Sequence, residues 1–143
     1  MPSWLMLMFR IPTEPSALRV STWRKLKRLG AVVLHDAVWV LPATAATREQ
    51  LQWLASEIIE SGGEATVWRS EVEVGEDRHL VEEFAGRANA AYAEILTDLE
   101  RDGVDPAALA RRYLQVKAQD YFQATLGETV REALLDTPGE EGA

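Results

Sequence analysis

The stretch from Trp4 to Pro42 constrains the fold more than any other part of the sequence. Two apolar runs, WLMLMFRI and AVVLHDAVWVL, are each closed by a proline, and they bracket the segment ALRVSTWRKLKRL. Continuous apolar runs of this length indicate buried strands, whereas Ser16 before the segment and Gly30 after it are typical of a helix start and stop. The sequence therefore predicts a strand–helix unit in which Trp4–Ile11 is the first strand.

The same stretch concentrates the positive charge of an acidic protein. The net charge is −8, yet residues 1–42 carry six Lys or Arg against two Asp or Glu, while the remaining residues carry nine against twenty-one. The net charge is therefore +4 for residues 1–42 and −12 for the remaining residues. Binding of a nucleic acid requires several cations close to its phosphate backbone. Any polyanion is therefore expected to bind to one face of the protein only.

The remainder of the first half continues the alternation of strands and helices. Ala31–Leu34 and Ala37–Leu41 read as short strands joined at His35–Asp36, and Thr47 with Gln50 predicts a capping box that opens a helix to Ser61. Glu64–Val74 alternates as a fourth strand. The order predicts an α+β, ferredoxin-like βαββαβ sheet with two helices, in a domain spanning residues 1–75.

The second half is helical. Asp77–Arg101 has a long apolar stripe, Asp105–Pro106 starts another helix, and Thr125–Leu135 forms a last one. We expect residues 76–136 to be a C-terminal helical extension, a pair or three helices, packed on the sheet domain, where it either covers the open face or makes a partner interface. Residues 137–143 are expected to be a disordered tail.

Composition excludes several classes of function. The chain has no cysteine, which excludes disulfides, thiolate metal sites and cysteine nucleophiles. Its longest apolar run is too short to span a bilayer, so we expect a soluble, cytoplasmic protein. The two histidines, His35 and His79, lie in no catalytic motif, and His35 beside Asp36 is interpreted as a turn residue. We therefore predict no enzyme activity, no metal site and no cofactor.

Three groups of side chains remain as candidate sites. Arg10 ends an apolar strand and Arg19 interrupts the apolar arc of the following helix, so the two could converge on a small oxyanion or form internal ion pairs. The outward arc of that helix could contact DNA or an acidic partner; its cations are Arg24, Lys25, Lys27 and Arg28. Five strands and helices each carry one tryptophan, which we interpret as core residues in preference to a base-stacking platform; these are Trp4, Trp23, Trp39, Trp53 and Trp68.

Several segments together resemble a known family, the N-terminal domain of the chromate-resistance regulator ChrB. The segments that carry the resemblance are Trp4–Pro12, Ser16–Ala31, Asp36–Pro42, Trp53–Glu57 and Gly62–Ala65, with Arg111–Phe122 similar to the end of the same domain. More distantly, the strand, basic helix and strand pair resemble the ferredoxin-like domain of PaaX-type repressors and of small CRISPR spacer-acquisition nucleases. Those nucleases carry an aspartate where this chain has Phe9–Arg10, which argues against metal-dependent nuclease chemistry.

The resemblance implies transcriptional control in a chromate or heavy-metal stress response, with DNA and the chromate oxyanion as ligands. Family members continue into a further C-terminal domain, so sensing is expected either to reside in a separate polypeptide or to be absent. PaaX-type repressors bear a winged helix before this fold and none precedes Trp4, so the basic helix is the expected DNA contact. The alternative is a structural interaction module, a homodimer or the partner of a separately encoded sensor domain, without direct DNA binding.

Overall fold

A computed structural model describes residues 2–14, 16–35 and 38–136 of the chain. The predicted features at Pro15, at Asp36 and in the 137–143 tail lie outside the described residues, as does the side chain of His35. The chain divides into two compact units, Met1–Glu76 and Asp77–Ala143.

The first unit has the predicted α+β, ferredoxin-like topology. Its elements are, in order, β1 Trp4–Arg10, α1 Ala17–Leu29, β2 Val32–His35, β3 Val38–Pro42, α2 Ala45–Glu60 and β4 Glu64–Ser70. The strands form one sheet in the order β2-β3-β1-β4, in which every neighbouring pair is antiparallel. The first strand is therefore central, as its apolar residues on both faces predict.

The strand register determines which side chains meet the helices. Leu5 of β1 lies opposite Leu41 and Arg69, and Leu7 lies opposite Trp39 and Val67. Since residues directly opposite in a sheet share a face, these side chains all point to the side that α1 and α2 cover. Leu7 and Leu41 are fully buried there, together with Leu26 of α1 and with Leu51 and Ile58 of α2. On the other face, Trp4, Val32 and Val40 are also buried.

The structure corrects the predicted start of α2. Thr44, not Thr47, is the N-cap residue: its hydroxyl accepts from Thr47 N at 3.0 Å, while Thr47 Oγ1 accepts from Thr44 N at 2.9 Å. The buried Thr47 hydroxyl also donates to Pro42 O at 2.6 Å. The predicted capping box, with Thr47 as N-cap and Gln50 three residues later, was therefore wrong by one turn. In the structure Thr44 is the N-cap and Thr47 is the residue three positions later.

The strand β4 also ends earlier than predicted, at Ser70 instead of Val74. Ser70 pairs with Trp4, which is the first residue of β1. A strand cannot extend beyond its partner without leaving its backbone groups unpaired, so the ladder stops at this residue.

The second unit consists of three helices, α3 Arg78–Leu99, α4 Pro106–Ala118 and α5 Leu126–Asp136. They enclose a small core of Ala88, Tyr92, Ile95, Leu109, Ala124 and Val130. Between α4 and α5 the chain breaks at Asp120, whose carboxylate accepts from Ala124 N at 2.8 Å, and Gln123 takes a left-handed backbone with φ of 52°. No helix in the described part of the chain has the length and apolar character needed to cross a bilayer.

Candidate nucleic-acid interface

Helix α1 is oriented by two buried residues, Thr22 and Leu26, which lie one turn apart and face the rest of the unit. Gly30 ends the helix in the left-handed conformation, with φ of 81°, and its N–H donates to the carbonyls of Leu26 and Lys27. A successive residue rotates by about 100° on a helix, so the side opposite Thr22 and Leu26 is turned to solvent. Arg24 lies on that side, with Val20, Lys27 and Arg28 next to it, and Trp23 lies at its margin; all five are exposed.

The four predicted cations of α1 do not share one environment. Arg24 and Lys27 are exposed on the outer side, whereas Lys25 is half-buried toward α2 and forms an ion pair with Glu57. Arg28 is exposed and lines a groove between the two helices beside Trp53. Lys25 therefore contacts one of the protein's own acidic side chains, and the outward basic surface of α1 centres on Arg24 and Lys27.

A tryptophan lies within that basic surface. Trp23 is 53% exposed, and the Lys27 ammonium lies over its indole with Nζ 5.4 Å from the ring centroid. This geometry is a cation–π contact, which holds the charge beside the aromatic face. An exposed indole flanked by cations combines the two elements of sequence-tolerant nucleic-acid binding, a stacking surface and positive charge.

The two predicted oxyanion ligands are placed differently. Arg19 lines a groove of about 360 Å³ beside α1, together with Phe9, Trp23 and Trp39. Arg10 follows Phe9 in β1, and strand side chains alternate between the two faces of a sheet, so Arg10 is directed away from that groove. The structure brings Arg19 next to aromatic side chains and does not bring it together with Arg10.

The interpretation of all five tryptophans as core residues was wrong for three of them. Trp4 and Trp39 are buried, but Trp23, Trp53 and Trp68 are 53%, 66% and 55% exposed. The position of Trp23 could have been found from the helix angles, because it lies about 100° from Thr22 and so at the margin of the apolar arc. Trp68 has a partner for its indole N–H, which donates to Thr66 Oγ1 at 2.8 Å.

Outside α1, the titratable side chains of Tyr92 and His79 each lie beside a carboxylate of the protein. In the second unit, the Tyr92 hydroxyl donates to Asp120 Oδ2 at 2.9 Å, and burial, followed by that carboxylate, raises the pKa of Tyr92 well above its ordinary value. His79 is exposed, with Nδ1 4.0 Å from Glu82 Oε2. No group of three or more metal-ligating side chains occurs within the ranges that the structure describes.

Fold and site together define a class: a small ferredoxin-like α+β unit with a basic and aromatic helix surface, followed by a three-helix unit. The chain belongs to the family described as "Protein ChrB, N-terminal", whose family profile matches residues 19–104. This match confirms the predicted family.

A curated relative, Protein ChrB of Cupriavidus metallidurans, is 34% identical to the chain over 98 residues. The match covers 68% of this chain and 30% of the relative, so the chain spans less than a third of that protein's length. No solved structure matches the chain.

Proposed function

We propose that this chain is a non-enzymatic regulatory domain of chromate and heavy-metal resistance, which acts in transcriptional control by contacting DNA through the outer surface of α1. Membership in the ChrB family supports the regulatory role. The observation that carries the DNA contact is the exposed Trp23 with Lys27 over its ring and Arg24 beside it. Within the described ranges neither Arg24 nor Lys27 forms an ion pair with a carboxylate.

The charge distribution supports the same proposal. In a chain with 23 acidic residues, Arg24 and Lys27 could have been paired internally, as Lys25 is with Glu57. Unpaired cations on one helix repel one another unless a polyanion or an acidic partner meets them. Chromate is proposed as the effector of the system, with Arg19 as the candidate contact on α1.

The test is a titration of a fluorescent duplex from the region upstream of the chromate-resistance operon, at several salt concentrations. We expect affinity to fall steeply as salt rises, and Arg24→Gln or Lys27→Gln to lower the slope of log affinity against log salt by about one unit each. Arg111→Gln, an exposed arginine of α4, is the matched control and leaves the slope unchanged.

A second candidate is an interaction module that docks on protein, either as a homodimer or with a separately encoded sensor domain. The observation that favours it is the groove of about 240 Å³ between α1 and α2, where Trp53 lies 66% exposed beside Leu54 and Leu29. If the duplex does not bind at low salt, or binds without salt dependence, the DNA proposal fails. A change of oligomeric state with Trp53→Ala, measured by sedimentation, would then support the module.

A further inference from the structure

A cleft on the helix-covered side of the sheet lies away from α1 and was not predicted from the sequence. It lies beside the first turn of α2 and the end of β4, has a volume of about 540 Å³, and is floored by Leu5 and Val67. Its polar rim is formed by Thr44, Gln52, Arg48 and Arg69. Because Leu5 and Phe9 are four residues apart in β1, this cleft and the Arg19 groove are separated by about 13 Å at about 3.3 Å per residue.

The fold brings the two arginines together from distant parts of the chain. Arg69 lies opposite Leu5 in the β1–β4 register, on the face that α2 covers. Arg48 lies in the first turn of α2, one turn before Gln52, so both side chains project from the same side of the helix. A guanidinium from the sheet and one from the helix thus line one cleft.

The guanidinium group of neither arginine makes a hydrogen bond or ion pair with any residue that the structure describes, and no described carboxylate lines the cleft. Other arginines of this chain are paired: Arg112 contacts Asp98 at 2.6 Å, and Arg131 contacts Glu128 at 2.9 Å. Two like charges beside a neutral lining repel each other, and this cost is removed when an anion lies between them.

The hydrogen-bond donors that line the cleft indicate which class of ligand fits it. Guanidinium groups present planar N–H pairs that match oxygen acceptors, and the Gln52 amide adds another donor. The positive end of the α2 dipole lies on the same side and adds to the attraction. We propose that this cleft binds a tetrahedral oxyanion through Arg48 and Arg69, supplied either as a free dianion or as a backbone phosphate of nucleic acid.

The first arm of the test is calorimetric titration of the full chain with sodium sulfate, against sodium chloride at matched ionic strength. A free dianion gives saturable sulfate binding that Arg48→Gln and Arg69→Gln each weaken by roughly tenfold or more, the usual effect of losing a charge-assisted hydrogen bond. Arg111→Gln, which removes an exposed arginine of α4, leaves it unchanged. Both cleft arginines are exposed, and thermal unfolding verifies that each variant is folded.

The second arm identifies the source of the anion. If sulfate does not bind but Arg48→Gln and Arg69→Gln each lower the salt slope of duplex binding by about one unit, the ligand is a nucleic-acid phosphate. Sulfate binding that the cleft substitutions leave intact overturns the proposal, and so does the absence of both effects. Sulfate binding by a chain that does not bind DNA supports the anion site while the DNA contact of α1 fails, so the two failures are distinguishable.

Discussion

At the scale of single residues, two tryptophans near the same groove have opposite roles. Trp39 of β3 is 5% exposed and packs in the core, whereas Trp23 of α1 is more than half exposed and bears Lys27 on its ring. We expect Trp39→Ala to lower the free energy of unfolding by about 3–5 kcal/mol, because it empties a large buried volume. Trp23→Ala changes it by less than about 1 kcal/mol, since surface substitutions rarely cost more.

Urea unfolding followed by circular dichroism measures both effects. The same two variants also separate stability from binding: Trp23→Ala is expected to weaken duplex binding while leaving its salt dependence unchanged, because an indole stacks without neutralising a phosphate. A Trp23→Ala protein that is destabilised as strongly as Trp39→Ala would contradict the assignment of Trp23 to the outer surface.

At the scale of helices and strands, the start of α2 depends on a reciprocal pair of threonines. Thr44→Ala removes the acceptor for Thr47 N and is expected to cost about 1 kcal/mol of unfolding free energy. Thr47→Val removes a buried hydroxyl that serves Thr44 N and Pro42 O, and is expected to cost about 1–3 kcal/mol. Gln50→Ala is the control, because Gln50 lies beyond the box. Urea denaturation measures the free energy of unfolding of each variant. If Gln50→Ala lowers it as much as Thr44→Ala does, the helix is capped by Thr47 and Gln50, as the sequence predicted.

This helix also illustrates how far sequence reasoning reaches. The order of strands and helices was predictable because runs such as Trp4–Ile11 and turn residues such as Gly30 constrain the backbone locally. The cap at Thr44 was not, because Thr44 and Thr47 are both good caps, and the choice between them depends on Pro42, where β3 ends. Arg48 and Arg69 are 21 residues apart and share a cleft because α2 packs on β4, with Arg69 opposite Leu5 on the covered face, and no local pattern contains this tertiary packing.

At the scale of the whole molecule, the cations of α1 stand out against an acidic background, since residues 1–42 carry +4 and the remaining residues −12. On α1, Arg24 and Lys27 face solvent, while Lys25 is held by Glu57. With 23 acidic side chains, the protein repels polyanions except where such cations are gathered. The proposed contact with DNA would therefore be restricted in orientation, and we expect weak nonspecific binding to disappear first as salt rises.

The stability of the whole chain should also fall in alkali. Burial, and for Tyr92 the neighbouring Asp120, raises the pKa of Tyr92 and Tyr121 above the ordinary tyrosine value of 10.0. Above about pH 10 the unfolded chain releases these phenol protons while the folded chain retains them, so the free energy of unfolding decreases by at most about 1.4 kcal/mol per pH unit for each tyrosine. Below pH 10 both states are protonated and this contribution to stability is complete.

Urea unfolding between pH 9 and pH 11 measures this slope, and Tyr92→Phe isolates the contribution of one residue. The substitution removes the hydrogen bond to Asp120 and lowers stability at every pH, so the informative quantity is the pH dependence and not the absolute free energy. We expect Tyr92→Phe to have a shallower decline than the natural chain, because phenylalanine has no proton to release. Parallel declines in the two proteins would mean that Tyr92 ionises equally in the folded and unfolded states, contrary to its burial beside a carboxylate.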